Sequence, residues 1–166
     1  MKVILHADKN WGIGKNNDLM FSLPKDMQFF RQTTLNKVVC MGYNTLLSFP
    51  NSKPLKNRIN IVLAPEGVVR DDCTIVYTLE GLFKELAKYN TDDIFVIGGA
   101  MFYRTMLPYC DTAYVTKVDA DGGASVFFPN LDEHNDWILA NSSQPEEDNG
   151  YTITFTEYKN KNVIKY

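Results

Sequence analysis

Three stretches of this chain carry residue types and spacings that could do chemistry. The first holds a carboxylate, Asp26, inside Leu23-Pro24-Lys25-Asp26-Met27-Gln28-Phe29-Phe30, just after the glycine-punctuated loop Asn10-Trp11-Gly12-Ile13-Gly14. Met27, Phe29 and Phe30 crowd it with apolar surface, and an isolated carboxylate there favours its neutral form. Phe30 and Thr33 follow on the same helical face. A ligand offering hydrogen-bond donors explains such a placement. So does a water-exposed Asp favouring the positive end of the helix dipole, and for Asp26 taken alone that plainer reading outweighs catalysis.

The other two stretches are Met41-Gly42-Tyr43-Asn44-Thr45 and Val96-Ile97-Gly98-Gly99-Ala100. Each is an apolar run ending in glycine and leading into a helical pattern. Ligands of open α/β sheets bind at such strand ends, where backbone amides and a hydroxyl such as Thr45 hold phosphate. One glycine turn is usually only a turn. Two of them fit a dinucleotide better than a single phosphate. Gly12-Ile13-Gly14 is no dinucleotide fingerprint, because no helix begins there and the third glycine is missing.

Other chemistries lack their residues. There is no nucleophile elbow, no zinc-protease helix and no lysine-bearing phosphate loop. His6 and His134 have neither metal-ligand spacing nor a recognisable triad partner, so no metal site is expected. The reading that remains is chemistry carried by a bound cofactor.

Elements positioning these groups follow from the pattern. Apolar runs predict strands over 2–7, 37–41, 58–63, 74–76 and from Ile94 to the Gly98-Gly99 pair, with an alternating strand over 112–118. Ser22 and Pro24 mark a helix start that runs to about Leu35. Short helices are expected after Gly42, after Thr78 with the stripe Leu79, Leu82, Phe83 and Leu86, and over 100–107 before Pro108. Segments 137–142 and 151–158, separated by the polar turn segment Gln144-Pro145-Glu146-Glu147-Asp148-Asn149-Gly150, suggest an antiparallel hairpin. The expected fold class is α/β, with a mixed, mainly parallel central sheet, flanking helices and a C-terminal antiparallel hairpin. Residues 1–159 are expected to form one domain and residues 160–166 a loosely ordered C-terminal extension.

Composition narrows the partners. With 45% hydrophobic and 22% charged residues the chain is neither disordered nor membrane-spanning, and a net charge of -3 argues against a general nucleic-acid binder. Met1 to Asn10 reads as a strand rather than a signal peptide. Cys40, Cys73 and Cys110 are odd in number and scattered, which fits reduced thiols in a cytoplasmic protein. The expected assembly is a monomer.

Taken together, these residues resemble a known family, the bacterial-type dihydrofolate reductases. The carriers are Asn10-Trp11-Gly12-Ile13-Gly14, Leu23-Pro24-Lys25-Asp26, Phe29-Phe30-Arg31 and Met41-Gly42 through Thr45, then Pro54-Leu55-Lys56-Asn57-Arg58, Ile97-Gly98-Gly99, Tyr103, Leu107-Pro108, Thr116 and Phe128-Pro129. The resemblance implies reduction of 7,8-dihydrofolate to tetrahydrofolate with NADPH. Asp26 would hold the pterin amidine edge and, directly or through water, favour protonation at N5 while hydride reaches C6. Thr116 would join that network, and Leu19 and Phe21 would complete the catalytic set, Leu19 at the tip of a mobile loop that closes over the nicotinamide. Met27, Phe30 and Leu55 would sandwich the pterin and benzoyl rings, with Ile4, Leu5, Phe49, Ile97 and Tyr103 also on the substrate side. Arg58 would bind the glutamate α-carboxylate through its planar fork.

On the cofactor side the resemblance implies His6, Ala7, Ile13, Gly14, Asn17 and Leu19 from the first strand and loop. It adds Gly42, Tyr43, Asn44 and Thr45, then Leu63 and Ala64, then Ile97, Gly98, Gly99, Ala100, Met101, Phe102 and Tyr103. Departures from the family pattern bear on cofactor choice. Tyr43 stands where a basic residue often grips the adenosine 2′-phosphate, Asn44 where another basic or hydrogen-bonding residue is common, and Ala64 where a hydroxyl is usual. One lost charged contact costs on the order of 1.5 to 3 kcal/mol, so NADH is also admitted. Lys37, Lys53 and Arg70 are the candidate replacements. Phe21 stands for a frequent tryptophan, His6 for a small residue and is expected as a core histidine, and Ala124-Ser125 for an acidic position that helps hold the loop closed. Two alternatives follow: a paralogue that binds folate or nucleotide with weak turnover, and a related pterin or ribosyl-pyrimidine reductase.

Overall fold

The computed structural model describes residues 1–16 and 18–166. In chain order the elements are β1 (Lys2–Ala7), β2 (Gly12–Gly14), α1 (Pro24–Thr34), β3 (Val38–Gly42), α2 (Tyr43–Ser48), β4 (Ile59–Leu63), β5 (Thr74–Val76), α3 (Leu79–Leu86), β6 (Ile94–Val96) and α4 (Ala100–Met106). They are followed by β7 (Thr112–Val118), β8 (Val126–Phe127), β9 (Trp137–Ser142), β10 (Glu146–Asp148) and β11 (Tyr151–Asn160).

Among the described residues, nine strands share one sheet in the order β10-β11-β7-β1-β6-β3-β4-β5, with β9 also pairing with β11. β1, β3, β4, β5, β6 and β7 run parallel, and β11 joins β7 antiparallel. The expected mixed sheet is therefore the observed one. Parallel strands buried on both faces explain the unbroken apolar runs: Val38 to Met41 and Ile61 to Val62 are almost wholly buried. Alternation along β1 sends Val3, Leu5 and Ala7 into one core cluster and Ile4 into the other.

The chain differs from the sequence expectations at several ends. β6 stops at Val96, before the glycine pair, and α4 stops at Met106, with a 3-10 turn over Leu107–Tyr109 carrying Pro108. The polar segment before β11 is not merely a turn. It contains β10, and the hairpin closes on Asn149-Gly150, both with positive φ, the two-residue loop that matches strand twist. β2 and β8 form a small antiparallel pair that sequence alone did not reveal.

The start of α1 is the most consequential difference. Ser22 does not cap it: the residue preceding the helix is Leu23, without a side-chain cap. Instead the buried Asp148 carboxylate, from β10, accepts the backbone N–H groups of Lys25 at 3.0 Å and Asp26 at 3.2 Å. A helix leaves its first N–H groups unpaired, and a carboxylate there also meets the positive end of the dipole. A residue 122 positions away thus caps the helix that carries Asp26.

The three cysteines are free, and burial pushes the Cys110 thiol up to about 12 and the Cys40 thiol further still. The exposed residues after β11 fold back on the domain, with the Ile164 N–H donating to Pro108 O at 2.9 Å and the Tyr166 ring stacked on Phe83. No described helix is long and apolar enough to cross a membrane, and no described cluster of His, Cys, Asp and Glu could hold a metal ion.

If Asp148 sets the start of α1, Asp148→Ala should lower unfolding free energy by about 1 to 2 kcal/mol, the usual worth of a lost cap. Urea denaturation at neutral pH measures it.

Candidate active site

Asp26 sits in the first turn of α1 with its side chain 13% exposed. Its surroundings differ from the apolar crowd expected from Met27, Phe29 and Phe30. Met27 is 60% exposed, and Phe29 packs instead against Tyr114 and Phe155. The carboxylate has polar partners: the Thr116 hydroxyl donates to Oδ1 at 2.6 Å, and His6 Nδ1 lies 3.2 Å from Oδ2. His6 and Thr116 are paired in the parallel register of β1 and β7. The expected core histidine is buried, yet it belongs to the Asp26 network.

Apolar residues flank that carboxylate on the same face of the sheet. Phe30, Phe49, Leu55 and Ile97 are half-buried against a cluster containing Ile4. Leu5 is not among them, since its side chain packs into the opposite cluster with Ala7, Ile13, Leu63, Phe102 and Tyr103. Tyr103 returns across the sheet through its hydroxyl, which donates to Ile4 O at 3.1 Å. Burial, and then the Asp26 charge, raise that hydroxyl well above the ordinary tyrosine range. Leu55 is held by Asn60, whose side-chain oxygen accepts Leu55 N–H and whose amide donates to Leu55 O. Both Asn60 and its tether were invisible in the sequence pattern.

Arg58 lies at the far end of α1. Its guanidinium donates to Thr34 Oγ1, Lys56 O and Arg31 O. Partial burial and then the Arg31 charge lower its proton affinity from the usual range, so two cations stand together there. A site of this kind favours an anionic group. Arg31, quoted in the sequence only as part of a motif, is the added residue.

The second compartment is where β3 and β6 end. Gly42 N–H donates to Gly98 O at 2.9 Å, tying the two glycine turns together. Gly98 has φ +129, a region L side chains rarely adopt, and a side chain there would start 3.3 Å from Thr45 Oγ1. At Gly99 the same hydroxyl would be 3.5 Å away. The glycines leave a cradle that any Cβ would begin to fill, bordered by a hydroxyl donor. Such a cradle fits a phosphate-bearing cofactor that needs close backbone approach. Ala100 is half-buried, Met101 is 84% exposed, and Tyr43, Asn44 and buried Ala64 lie at the neighbouring strand ends.

The candidate replacement cations separate. Lys37 pairs with Asp93 at the amino ends of β3 and β6, opposite the glycine turns. Arg70 is held by Asp72 through Nε at 3.0 Å and Nη2 at 2.7 Å, and also donates to Ser52 O. Lys53 is exposed.

Leu19 is 58% exposed, whereas Phe21 is buried, edge-on to Tyr151 and 6.1 Å from the His6 ring. Gly14, buried in β2, receives Ser125 N–H on its carbonyl. Asn17 lies outside the described residues.

Chemically, one compartment can hold a planar ligand offering adjacent N–H donors to a carboxylate and an anion to two arginines. The other can hold phosphate, side by side with it. Fold and site together define an α/β enzyme for two small-molecule ligands. A sequence model of the family described as dihydrofolate reductase matches residues 1–160. The dihydrofolate reductase of Bacillus subtilis (strain 168) is 37% identical over 166 residues, covering 98% of this chain and 95% of that protein. That of Staphylococcus haemolyticus is 29% identical over 162 residues, covering 96% and 95%. Among solved structures, dihydrofolate reductase from Enterococcus faecalis complexed with NADP(H) and RAB-propyl superposes with a TM-score of 0.84 at 26% identity, covering 96% of this chain and 95% of that one. The chain belongs to the dihydrofolate reductase family.

The φ and crowding at Gly98 give a direct check on the cradle. Gly98→Ala should cost about 1 to 3 kcal/mol of folding free energy through backbone strain, read by urea denaturation.

Proposed function

We propose that this chain reduces 7,8-dihydrofolate to 5,6,7,8-tetrahydrofolate, with NADPH as cofactor. The observation that carries the reading is the withdrawn Asp26 carboxylate, presented by α1, oriented by Thr116 of β7 and packed against the same sheet that leads into the glycine cradle. When bound, the reduced nicotinamide supplies hydride to C6 of the pterin. The chain supplies position and the proton's path. Asp26 holds the amidine edge of the pterin and, directly or through water, favours a proton at N5. Thr116 fixes the carboxylate against rotation, so the ring is presented in one orientation.

Phe30, Leu55, Ile4, Phe49 and Ile97 pack against the rings, and Met27 covers them from its exposed position. Arg58, with Arg31 beside it, receives the glutamate α-carboxylate. Gly42, Gly98, Gly99 and Thr45 receive the pyrophosphate, and Tyr43, Asn44 and Ala64 border the adenosine end. Leu19 belongs to the loop that excludes water from the nicotinamide, with Phe21 packed beneath it. The protein acts as a cytoplasmic monomer.

Two variants test the reading. Asp26→Asn should retain the fold and lose about a hundredfold or more in kcat near neutral pH, since removing a group that handles the proton typically costs that much. Loss of reduced-nicotinamide absorbance with dihydrofolate measures it, and nearly unchanged turnover would sink the assignment. Tyr43→Arg should lower KM for NADPH about tenfold, the worth of one charge-assisted phosphate contact, and leave KM for NADH unchanged. An equal effect on both cofactors counts against the placement of the 2′-phosphate.

A further inference from the structure

A buried imidazole must satisfy two ring nitrogens. His6 satisfies one, with Nδ1 at 3.2 Å from Asp26 Oδ2. Nε2 is buried without a hydrogen-bond partner among the described residues, in a side chain only 8% exposed. A residue kept for packing has no need of this arrangement, because an apolar side chain would fill the space without leaving a nitrogen unpaired. The position is also set by the sheet: the β1–β7 register puts His6 beside Thr116, and the two side chains engage opposite oxygens of one carboxylate.

We infer that His6 is a positioning residue for the reaction at Asp26, holding the second carboxylate oxygen while Thr116 holds the first, so that the carboxylate meets the substrate in one orientation. This rests on the reading of Asp26 as the substrate anchor. With Asp26 charged, Nδ1–H donates to Oδ2. With the carboxyl protonated, its O–H donates to Nδ1 and the ring hydrogen sits on Nε2. In either state the pair keeps one hydrogen bond between ring and carboxyl group.

The neighbouring charges leave this pair to itself. On β7, Lys117 is directed to Asp132 and lies over the Trp11 and Tyr158 rings, away from Asp26. On α1, Lys25 pairs with Glu146 of β10, while Asp148 of β10 is engaged by backbone N–H groups. On α4, the Tyr103 hydroxyl is donated to Ile4 O. β6 contributes only Ile94, Phe95 and Val96, and the covering loop contributes the Phe21 ring. Among the described residues His6 is the one group able to give Asp26 a cationic partner.

Two variants and one spectroscopic measurement test the inference in the full chain. His6→Asn can place an amide N–H near the position of Nδ1 but cannot titrate, and His6→Ala does neither. The readouts are KM and kcat for dihydrofolate, taken separately for wild type and each variant. His6→Ala should raise KM about tenfold, the loss of one charge-assisted hydrogen bond, and His6→Asn should recover most of it. Nitrogen NMR of the His6 ring should show Nδ1 and Nε2 shifts that change in Asp26→Asn, where the anionic acceptor of Nδ1–H is absent. Ring nitrogen shifts equal in wild type and Asp26→Asn overturn the inference, as does a His6→Ala enzyme with the wild-type KM. If Asp26→Asn turns over normally while the ring shifts still move, the pair stands and it is the functional reading that fails.

Discussion

A carboxylate withdrawn from water must be given replacement donors, and much of this structure can be understood as the means of providing them to Asp26. Its side-chain oxygens face Thr116 on β7 and His6 on β1, while its backbone N–H is received by Asp148 on β10. Those strands sit together in the order β10-β11-β7-β1. The helix that presents Asp26 is therefore pinned by three chain segments that meet only once this half of the sheet has formed. Local helix propensity cannot supply such precision, because α1 has no side-chain cap of its own.

The other half of the sheet solves a different problem. Its carboxyl ends stay open to close backbone approach: β3 ends at Gly42, β6 runs on through Ile97 into Gly98-Gly99, and the two turns are joined by the Gly42 to Gly98 hydrogen bond. β1 lies between the halves, pairing with β7 on one side and β6 on the other. Its alternation serves both cores: Ile4 and His6 belong to the Asp26 face, and Leu5 and Ala7 to the opposite one. The spacing between the two compartments is thereby fixed by strand geometry rather than by loops.

Much of this was legible from residue pattern. Buried parallel strands announce themselves as short apolar runs, and Gly42, Gly98-Gly99 and Asp26 stand out because glycine and carboxylate are unusual beside such runs. The partners of Asp26 were less legible. Thr116 entered only through the family resemblance, and His6 looked like packing, since a lone histidine in an apolar strand carries no mark of the residue it will meet. Asp148 sits in a polar Glu-Glu-Asp-Asn-Gly stretch whose turn signal is clear, but nothing in it tells that its carboxylate will cap a helix far away in sequence. Contacts between distant segments depend on register, and a shift of one residue would turn each of these side chains to the other face.

The opening loop obeys the same rule as Asp26 through a second buried carboxylate. Asp8 is 3% exposed and accepts Asn10 N–H and Gly12 N–H on one oxygen and Gly122 N–H on the other. It therefore joins the start of the loop that carries Leu19 to the segment leading into β8. Gly12 is required there, because a Cβ would lie 2.3 Å from that of Ala124 and 2.9 Å from both Asp8 oxygens. Further along, Ser125 N–H reaches Gly14 O at 2.9 Å and Phe128 N–H reaches Trp11 O at 2.8 Å. With Ser125 in place of an acidic side chain, this chain holds the loop at its base, through one carboxylate and a two-stranded ladder. The base is thus fixed by buried hydrogen bonds while Leu19 stays exposed, so the same loop joins a rigid root to an apolar side chain turned to solvent.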